Sequence, residues 1–378
     1  MLRYLTAGES HGKALTGIID GLPAGVPIDK KQIDHDLTRR QQGYGRGGRM
    51  KIEQDQIQVL SGIRGGVTTG SPVAYLIMNK DYENWQEGMD PFLGDLEYKR
   101  VIHPRPGHAD LPGLLKYGLS DVRPILERSS ARETAARVAA GSIARQLLHH
   151  FGIQAACHVM RIGNVTLEND ALSFDRLAPA ETSPVRCISE TTGQAMMQAI
   201  DQAKASGNSL GGIVEVRVKG LPVGLGSHVQ WDRRLDAQLA AALMSIQAIK
   251  GVEIGDGFLS AARPGSQVHD EIHYSEDKGF YRKTNHAGGI EGGMSNGEEL
   301  VVRCGMKPIP TLMKPLNTVD LETHQPYEAV KERSDTCAVP AAAVVAELVT
   351  VFTLAQAFME TFGKDSLEEM KRCWKPLK

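Results

Sequence analysis

Several marks of specialised protein classes are scarce in this 378-residue chain. Its five cysteines form neither a CxxC pair nor the spacing of a metal site. An odd number of scattered thiols argues against a disulfide scaffold and favours a reducing compartment, so we expect a cytoplasmic protein. No GxGxxG segment is followed by a helix and an acidic residue, so the dinucleotide-binding fingerprint is also lacking.

Excess charge and uninterrupted apolar runs are lacking too. Lys plus Arg number 43 and Asp plus Glu 45, a balance that gives no general reason to bind nucleic acid or an anionic membrane. The most apolar stretch, residues 338–362, is interrupted by Glu347, Gln356 and Glu360. With the polar start MLRY, this composition predicts neither a spanning helix nor a signal peptide. Any anion site must therefore be local.

Glycine is abundant, with 40 residues, and three glycine- or arginine-containing motifs each occur twice in the same order. Three matches in register predict two related halves about a pseudo-two-fold axis. The copies diverge at Ser130 and Asp335, which predicts a site at the seam. We expect one domain, 1–378, with halves at about 1–150 and 208–365 and a connecting insert at 151–207. The pairs are GLPAG (21–25) with GLPVG (220–224), GIRGG (62–66) with GIEGG (289–293), and ERSS (127–130) with ERSD (332–335).

Each half repeats one order of predicted elements: a strand, the GLP turn, a helix, hairpin strands around the GIxGG turn, and a long Ala-rich helix. Alternation of valine with charged residues predicts antiparallel sheets with one exposed face. Two such layers would enclose their helices, giving an α+β fold: a β-α-β sandwich of two antiparallel sheets around central helices. The main predicted strands are 3–6, 15–20, 158–167 and 214–218, and the helices are 29–42, 131–149, 194–205, 231–249 and 340–362.

The sequence SARE at residues 130–133 has the form of a capping box, so Ser130 is predicted to open a long helix. Helix N-termini bind anions through their free N–H groups, and Arg128 and Arg132 would strengthen such a site. A surface cap with solvated arginines is the alternative. The second copy of the motif, beside Arg333, favours the anion site.

A glycine-rich segment at residues 39–51, RRQQGYGRGGRMK, contains five basic residues and no acid. We interpret it as a mobile cationic lid over a multiply anionic small molecule, because arginine forks match phosphate and carboxylate groups. An RGG-like nucleic-acid contact and a solvated loop are the alternatives. A single copy on a nearly neutral chain disfavours nucleic acid.

Two histidines lie in glycine-containing turns, His11 within GESHG and His108 within RPGHAD. Near anions both imidazoles would tend to be protonated and able to act as acids, although each alone is more readily structural. GESHG also matches the GxSxG nucleophile elbow, but that motif joins a strand to a helix and a second strand is expected here, which disfavours a serine hydrolase. The stiff KPIPT at 307–311 fits a wall against a flat ring, or an ordered crossover.

In this order, the motifs resemble the chorismate synthase family over essentially the whole length: GESHG, RRQQGYGRGGRM, RPGHAD, ERSSARET with RVAAG, KPIPT and ERSD. The resemblance implies conversion of 5-enolpyruvylshikimate 3-phosphate to chorismate and phosphate by an anti 1,4-elimination in the shikimate pathway. It also implies a need for reduced FMN without net redox change, NADPH as reductant in some members, and a homotetramer. No nucleic-acid or membrane partner is expected.

Site roles follow from the same resemblance. His11 would protonate the departing phosphate, His108 would serve the reduced flavin, and Asp335 would assist removal of the C6 hydrogen through the flavin. The expected substrate- or NADP-binding residues are Arg40, Arg46, Arg49, Arg105 and Arg132. The expected FMN contacts are Arg128, Ser129, Ser130, Gln247, Ala248, Gly292, Lys307, Pro308, Ile309, Pro310, Thr311 and Arg333. No metal is expected.

Two other functions stay open on the sequence. A nucleic-acid or phosphoprotein binder would use the basic segment 39–51, and salt-sensitive RNA retention without flavin binding would favour it. A flavin reductase would use NADPH and FMN. Arg40 and Arg46 are candidates for both NADPH and substrate.

Overall fold

The computed structural model describes residues 1–48, 53–168, 172–329 and 334–375, which combine helices with antiparallel sheets. The helices are α1 (Lys30–Gln41), α2 (Gln86–Met89), α3 (Asp110–Tyr117), α4 (Arg123–Ser129), α5 (Thr134–His149), α6 (Glu190–Ala205), α7 (Leu235–Met244), α8 (Gly257–Ser260), α9 (Val339–Phe362) and α10 (Leu367–Cys373). The strands are β1 (Arg3–Ala7), β2 (Ala14–Asp20), β3 (Ile57–Val59), β4 (Ile63–Arg64), β5 (Val67–Thr68), β6 (Val73–Met78), β7 (Gln154–Ile162), β8 (Val165–Thr166), β9 (Gly212–Lys219), β10 (Ile249–Ile254), β11 (Ile272–Ser275), β12 (Gly279–Arg282), β13 (Ile290–Glu291), β14 (Met294–Ser295), β15 (Leu300–Met306), β16 (Asn317–Val319) and β17 (Pro326–Glu328).

The first sheet has the strand order β1-β2-β6-β3, with every neighbouring pair antiparallel. Alternate side chains of β6 are fully buried, as the period of a strand with one covered face requires. Among them Tyr75 lies over Gly17, where a Cβ would approach the ring to 2.1 Å. The Tyr75 hydroxyl donates to the Ala136 carbonyl at 2.6 Å. This face therefore packs on α5.

The second sheet has the order β10-β15-β9-β7-β8, and all its pairs are antiparallel. The prediction that one face of β9 is exposed was wrong, because Glu215 and Arg217 are as buried as the valines between them. Glu215 accepts from Arg217 Nε at 2.6 Å and from Arg303 Nε at 2.7 Å. Arg217 also donates to the Leu172 carbonyl, so a crossing segment covers this face. The charged side chains on this face are thus buried as ion pairs.

Two helices connect the sheets. α5 packs against β2, α9 packs against β7 and β9, and the two helices pack on each other. At their contact a Cβ on Gly141 would lie 2.3 Å from the Leu348 carbonyl oxygen, so the backbones approach closely. By length and composition α9 could cross a membrane, yet 94% of its most apolar window is buried inside the protein. The apolar run predicted at 340–362 is therefore a core helix.

A buried ion cluster joins α1, α5 and α9. Arg39 reaches Asp36 at 2.9 Å and Glu347 of α9 at 2.8 Å, and it is also paired with Glu181. Arg145 of α5 contacts Asp36 at 3.0 Å and pairs with Glu347 as well. Burial raises the pKa of Glu181, but its hydrogen bonds from Arg39 and the neighbouring positive charges outweigh this and lower it to about 2. The basic segment thus does not begin as a mobile loop, since Arg39 is locked in the core.

Three other boundaries differ from the expectations. A 3-10 turn, Ala131–Glu133, precedes α5. The helix expected at 231–249 is shorter, because the extended Arg234 interrupts it and β10 begins at Ile249. The segment 151–207, expected as an insert, supplies β7, which pairs along its length with β9. The strand expected at 158–167 begins earlier and ends earlier, as β7, and the helix expected at 194–205 begins earlier, as α6.

The close approach of α5 to α9 predicts a large effect at one glycine. Gly141→Ala should lower the free energy of unfolding by about 1–3 kcal/mol, because the new methyl group overlaps backbone that cannot move easily. Gly193→Ala on α6 is the matched control. Its Cβ would find neighbours no nearer than 3.5 Å, so helix propensity should stabilise the protein by about 0.5–1 kcal/mol. Urea denaturation measures both, and equal effects would contradict the close packing.

Candidate active site

Two arginines predicted as anion ligands lie buried together at the start of α5. Arg132 Nη1 contacts both oxygens of Asp55, at 2.6 and 2.7 Å. Arg40 donates to the Thr134 hydroxyl and the Ala131 carbonyl, each at 2.9 Å, and its Nη1 lies 3.5 Å from Asp55. Arg40 is therefore fixed by the residues that open α5, and the Arg132 guanidinium is fixed by Asp55.

Each of these guanidinium groups keeps a buried N–H group without a hydrogen bond among the described residues, Arg40 Nη1 and Arg132 Nη2. Burial lowers the pKa of Arg40 to about 10; Asp55 opposes this change, and the charges of Arg132 and Arg46 add to it. Buried donors without acceptors are the condition that a bound anion relieves. Arg40 and Arg132 are therefore the candidate anion site.

Only part of the predicted cationic lid can be placed. Arg46 Nη1 lies 2.9 Å from Asp335 Oδ2, and the Gly47 N–H donates to Asp335 Oδ1 at 2.6 Å. The structure thereby joins Asp335, in the second copy of the duplicated motif, to the basic segment. Arg49 and Arg333 lie outside the described residues.

His11 lies in the loop that joins β1 to β2, so the expectation that GESHG is not a nucleophile elbow is confirmed. His11 Nδ1 lies 2.8 Å from Glu127 Oε1, and its imidazole stacks on Trp85 with ring centroids 3.9 Å apart. The side chain of Asn79 connects this loop to the anion site. Its Nδ2 donates to the Gly12 carbonyl at 2.7 Å, and its Oδ1 accepts from Arg132 Nε at 2.8 Å.

His108 belongs to a second cluster of hydrogen-bonded polar side chains. Its Nδ1 pairs with Asp110, which also accepts from Arg105 Nε at 2.8 Å. Arg105 Nη1 donates to the Thr311 hydroxyl at 3.1 Å, and Lys307 Nζ donates to the Gly107 carbonyl. The RPGHAD turn and the KPIPT segment, 200 residues apart, thus form one wall of the site.

Other predicted FMN contacts meet around Glu133. Gln247 Nε2 donates to Glu133 Oε1 at 2.8 Å. Thr6, which accepts from Arg128 Nη2, donates to the other oxygen of Glu133. Ala248, with a left-handed φ of 66°, accepts from the Lys307 N–H at 2.9 Å. These contacts connect the start of α5 with the KPIPT segment.

Some predicted residues are placed differently. The capping box is half formed: the Ser130 hydroxyl accepts from the Arg132 N–H, and Glu133 turns to Gln247 instead. The Ser129 hydroxyl donates to the Ile125 carbonyl within α4. In the KPIPT segment, Ile309 lies between Pro308 and Pro310, and its carbonyl accepts a hydrogen bond from the Ser209 hydroxyl. Gly292 occupies the β13–β14 turn.

Sequence reasoning missed several polar residues that hold the site. Glu127 and Asp110 lie inside the motifs ERSS and RPGHAD, so attention to their acidic members would have found them. Asp55, Asn79 and Trp85 lie outside every motif that the sequence singled out. Their roles follow from long-range contacts alone.

The residues present fit a flavin, which the structure does not contain. The Gln247 Oε1 is a buried acceptor without a hydrogen bond among the described residues, as a ring N–H group of a flavin requires. The two orphaned arginine donors suit phosphate or carboxylate groups. A stiff, proline-containing segment at 307–311 is joined to the start of α5 through Ala248 and Gln247. The donor set thus contains partners for both a heterocycle and anionic groups.

Comparisons with known proteins give one consistent answer. A family model described as chorismate synthase matches residues 2–359. The chain is 60% identical over 375 residues to a chorismate synthase from Alkaliphilus metalliredigens, covering 99% of both chains. It is 58% identical over 381 residues to one from Geobacter metallireducens, covering 98% of this chain and 97% of the relative. A crystal structure of chorismate synthase matches with TM-score 0.79 and 42% identity, over 98% of this chain and 96% of that one.

The buried Asp110 predicts a pH-dependent stability. Asp110→Asn should lower the free energy of unfolding at neutral pH by about 3 kcal/mol, because it strands the charge of Arg105. Burial raises the pKa of Asp110, but hydrogen bonds from His108 and Arg105 hold it well below the usual range. A carboxyl group with a depressed pKa stabilises the fold fully above its unfolded pKa, and this stabilisation is lost progressively as pH falls from there through the folded pKa.

The difference in the free energy of unfolding between wild type and Asp110→Asn should therefore become smaller as the pH is lowered from about 7 to about 3. Urea denaturation at both pH values measures it. The exposed Asp277→Asn is the control and should change little. Equal stability of Asp110→Asn and wild type at neutral pH would contradict the buried pairing.

Proposed function

The chain belongs to the chorismate synthase family, and we propose that it eliminates phosphate from 5-enolpyruvylshikimate 3-phosphate to give chorismate, with reduced FMN bound. Enzymes of this family are carbon–oxygen lyases, and this chain is one. The observation that carries the proposed substrate is the pair of orphaned buried donors on Arg40 and Arg132. The substrate has one phosphate and two carboxylates, and such groups satisfy guanidinium donors bidentately.

His11 is proposed as the acid for the departing phosphate. The C3–O bond breaks with both electrons on the phosphate oxygen, and a proton from His11 neutralises the developing charge. Its loop is connected to Arg132 through Asn79. That connection supports a phosphate position between the anion site and the imidazole.

Reduced FMN would supply electron density to the substrate ring as phosphate leaves, without net redox change. The residues proposed to hold it are Gln247, Ala248 and the segment 307–311, beside Arg128 and Ser130. His108 is proposed to deliver or hold a proton at this wall. Its ring is fixed by Asp110, to which Nδ1 donates, and Arg105 holds the same carboxylate.

Asp335 is proposed to assist transfer of the C6 proton to the bound reduced flavin, while the C–H electron pair completes the new diene. Both its oxygens accept hydrogen bonds, from Arg46 and Gly47. Asp335→Asn should therefore slow turnover by about a hundredfold or more while substrate still binds. Rapid-quench kinetics and calorimetry separate the two steps. Loss of binding with an unchanged chemical step would contradict this role.

We also propose that the fold is a β-α-β sandwich built from duplicated halves. The order β1-β2-β6-β3 in the first sheet corresponds to β7-β9-β15-β10 in the second. The Val26 N–H donates to the Thr68 hydroxyl at 2.8 Å, and the Leu225 N–H donates to the Ser295 hydroxyl at 2.9 Å, at equivalent places. Dissimilar backbones on superposing the two halves would count against duplication.

A cytoplasmic homotetramer that accepts NADPH as reductant completes the proposal. The balanced charge and free cysteines support the compartment. Each of the three statements has its own test. Cell fractionation tests the compartment, and light scattering tests the tetramer. An assay in which FMN with NADPH replaces light-reduced flavin tests the reductant. A secreted protein, a stable monomer, or no NADPH oxidation would overturn the respective one.

The direct test of the function is an anaerobic assay. Purified protein is mixed with photoreduced FMN and 5-enolpyruvylshikimate 3-phosphate, and chorismate and phosphate are followed together. Equal release of both, dependent on reduced flavin, is expected. No release by a folded protein that binds FMN would refute the proposal.

His108→Ala should leave the fold and flavin binding largely intact and slow turnover by about a hundredfold or more, as for loss of a proton-transfer group. His324→Ala, at an exposed turn, is the control. Steady-state kinetics with reduced FMN measure the effect. An unchanged rate would remove His108 from the mechanism.

A further inference from the structure

Glu127 has no role in the chemistry proposed above, yet its side chain is hydrogen-bonded to the loop that contains His11. Its side chain is only 1% exposed. Glu127 Oε2 accepts from the backbone N–H of His11 at 2.7 Å, and Oε1 lies 2.8 Å from Nδ1. The Glu127 carbonyl accepts from the Ser10 N–H at 3.1 Å. One residue thus fixes both the position of the loop and the rotation of the ring.

The contact with Glu127 also determines which ring nitrogen of His11 faces a ligand. Burial raises the pKa of Glu127, but hydrogen bonds from His11 and the charge of Arg123 outweigh it and hold the pKa below its usual value. An ionised carboxylate only accepts, so Nδ1 must carry a proton. Nε2 is then the atom through which His11 gains or loses a proton.

An aromatic wall fixes the plane of the ring. The His11 and Trp85 rings are 23° from parallel. Lys99 Nζ lies over the Trp85 ring, 3.6 Å from its centroid. Because the imidazole covers one face of the indole, the ammonium covers the other. Trp85 is clamped between two partners and cannot swing away without losing both.

Charged groups face His11 from each neighbouring element. Glu127 of α4 is in direct contact, and Asp81 Oδ2, from the turn before Trp85, lies 4.0 Å from Nε2. Lys99 and Arg123 lie behind Trp85 and Glu127. Of these four groups, Glu127 is the one within hydrogen-bond distance of the ring.

We propose that Glu127 and Trp85 are positioning residues for His11: Glu127 keeps the proton on Nδ1, and Trp85 holds the ring so that Nε2 gives its proton to the departing phosphate. The second part depends on the proposed function. In that step the Nε2–H bond breaks and the proton joins the phosphate oxygen, which has kept the electron pair of the broken C–O bond. Neutral imidazole, still bonded to Glu127 through Nδ1–H, remains.

Nitrogen-15 NMR of histidine-labelled, flavin-free protein tests the first part without substrate. The His11 signals are assigned by their loss in His11→Ala. At pH values above the His11 titration midpoint, wild type should show the Nδ1–H tautomer. Glu127→Gln should lower that midpoint by about one pH unit or more and give a mixture of the two neutral tautomers. Glu83→Gln, an exposed acid near Trp85, should match wild type. An Nε2–H tautomer in wild type, or a folded Glu127→Gln with an unchanged titration, would overturn the proposal.

The pH dependence of kcat tests the second part. Glu127→Gln should lower kcat by about tenfold or more with little change in KM, and move the alkaline limb to lower pH, because the acid form is lost sooner. Trp85→Phe should keep most of the activity, and Trp85→Leu should lose it. An unaltered pH profile in Glu127→Gln would overturn the role in proton delivery. If wild type releases no phosphate, the proposed function fails, and the NMR result still decides what Glu127 does.

Discussion

The candidate site depends on one electrostatic constraint: buried guanidinium donors need acceptors, and at the start of α5 the nearby carboxylates do not satisfy all of them. Asp55 serves Arg132 directly and lies 3.5 Å from Arg40, and Glu53 is 3.7 Å from Arg132. Arg40 Nη1 and Arg132 Nη2 are left without a hydrogen bond among the described residues. A multiply anionic ligand would supply the missing acceptors, so binding energy would arise from a deficit of acceptors that the fold maintains.

The surrounding structure keeps that deficit from relaxing. The Arg39 cluster fixes α1, and therefore Arg40, against α5 and α9. Asn79 connects Arg132 to the His11 loop, while Glu133 and the Ala248–Lys307 hydrogen bond connect the start of α5 to the wall that holds His108. The His11 loop, the arginine pair and the segment 307–311 are thus parts of one hydrogen-bonded network, which gives the geometric order that the proposed proton transfer needs.

Local patterns predicted the elements and half of the site. RPGHAD contains Arg105, His108 and Asp110 within one turn, so their meeting could be read from spacing, and the duplicated motifs indicated the two sheets. Asp55 and Asn79 could not be foreseen, because only the tertiary fold brings them to Arg132. The exposed face predicted for β9 failed for a similar reason: Glu215 is neutralised by Arg303, 88 residues away. Burial of charge depends on distant partners, which alternation along a strand does not contain.

The proposal that Arg40 and Arg132 lack acceptors until an anion binds is tested most directly by calorimetry. 5-Enolpyruvylshikimate 3-phosphate is titrated into the flavin-free protein and into its Arg40→Lys variant. Lysine keeps the charge beside Asp55 but loses the fork, so folding should persist, which circular dichroism verifies. Arg3→Lys, at an exposed pair with Asp20, is the control. The account predicts an affinity about tenfold or more weaker for Arg40→Lys alone, as for loss of a charge-assisted hydrogen bond. Equal affinity in all three proteins would contradict it.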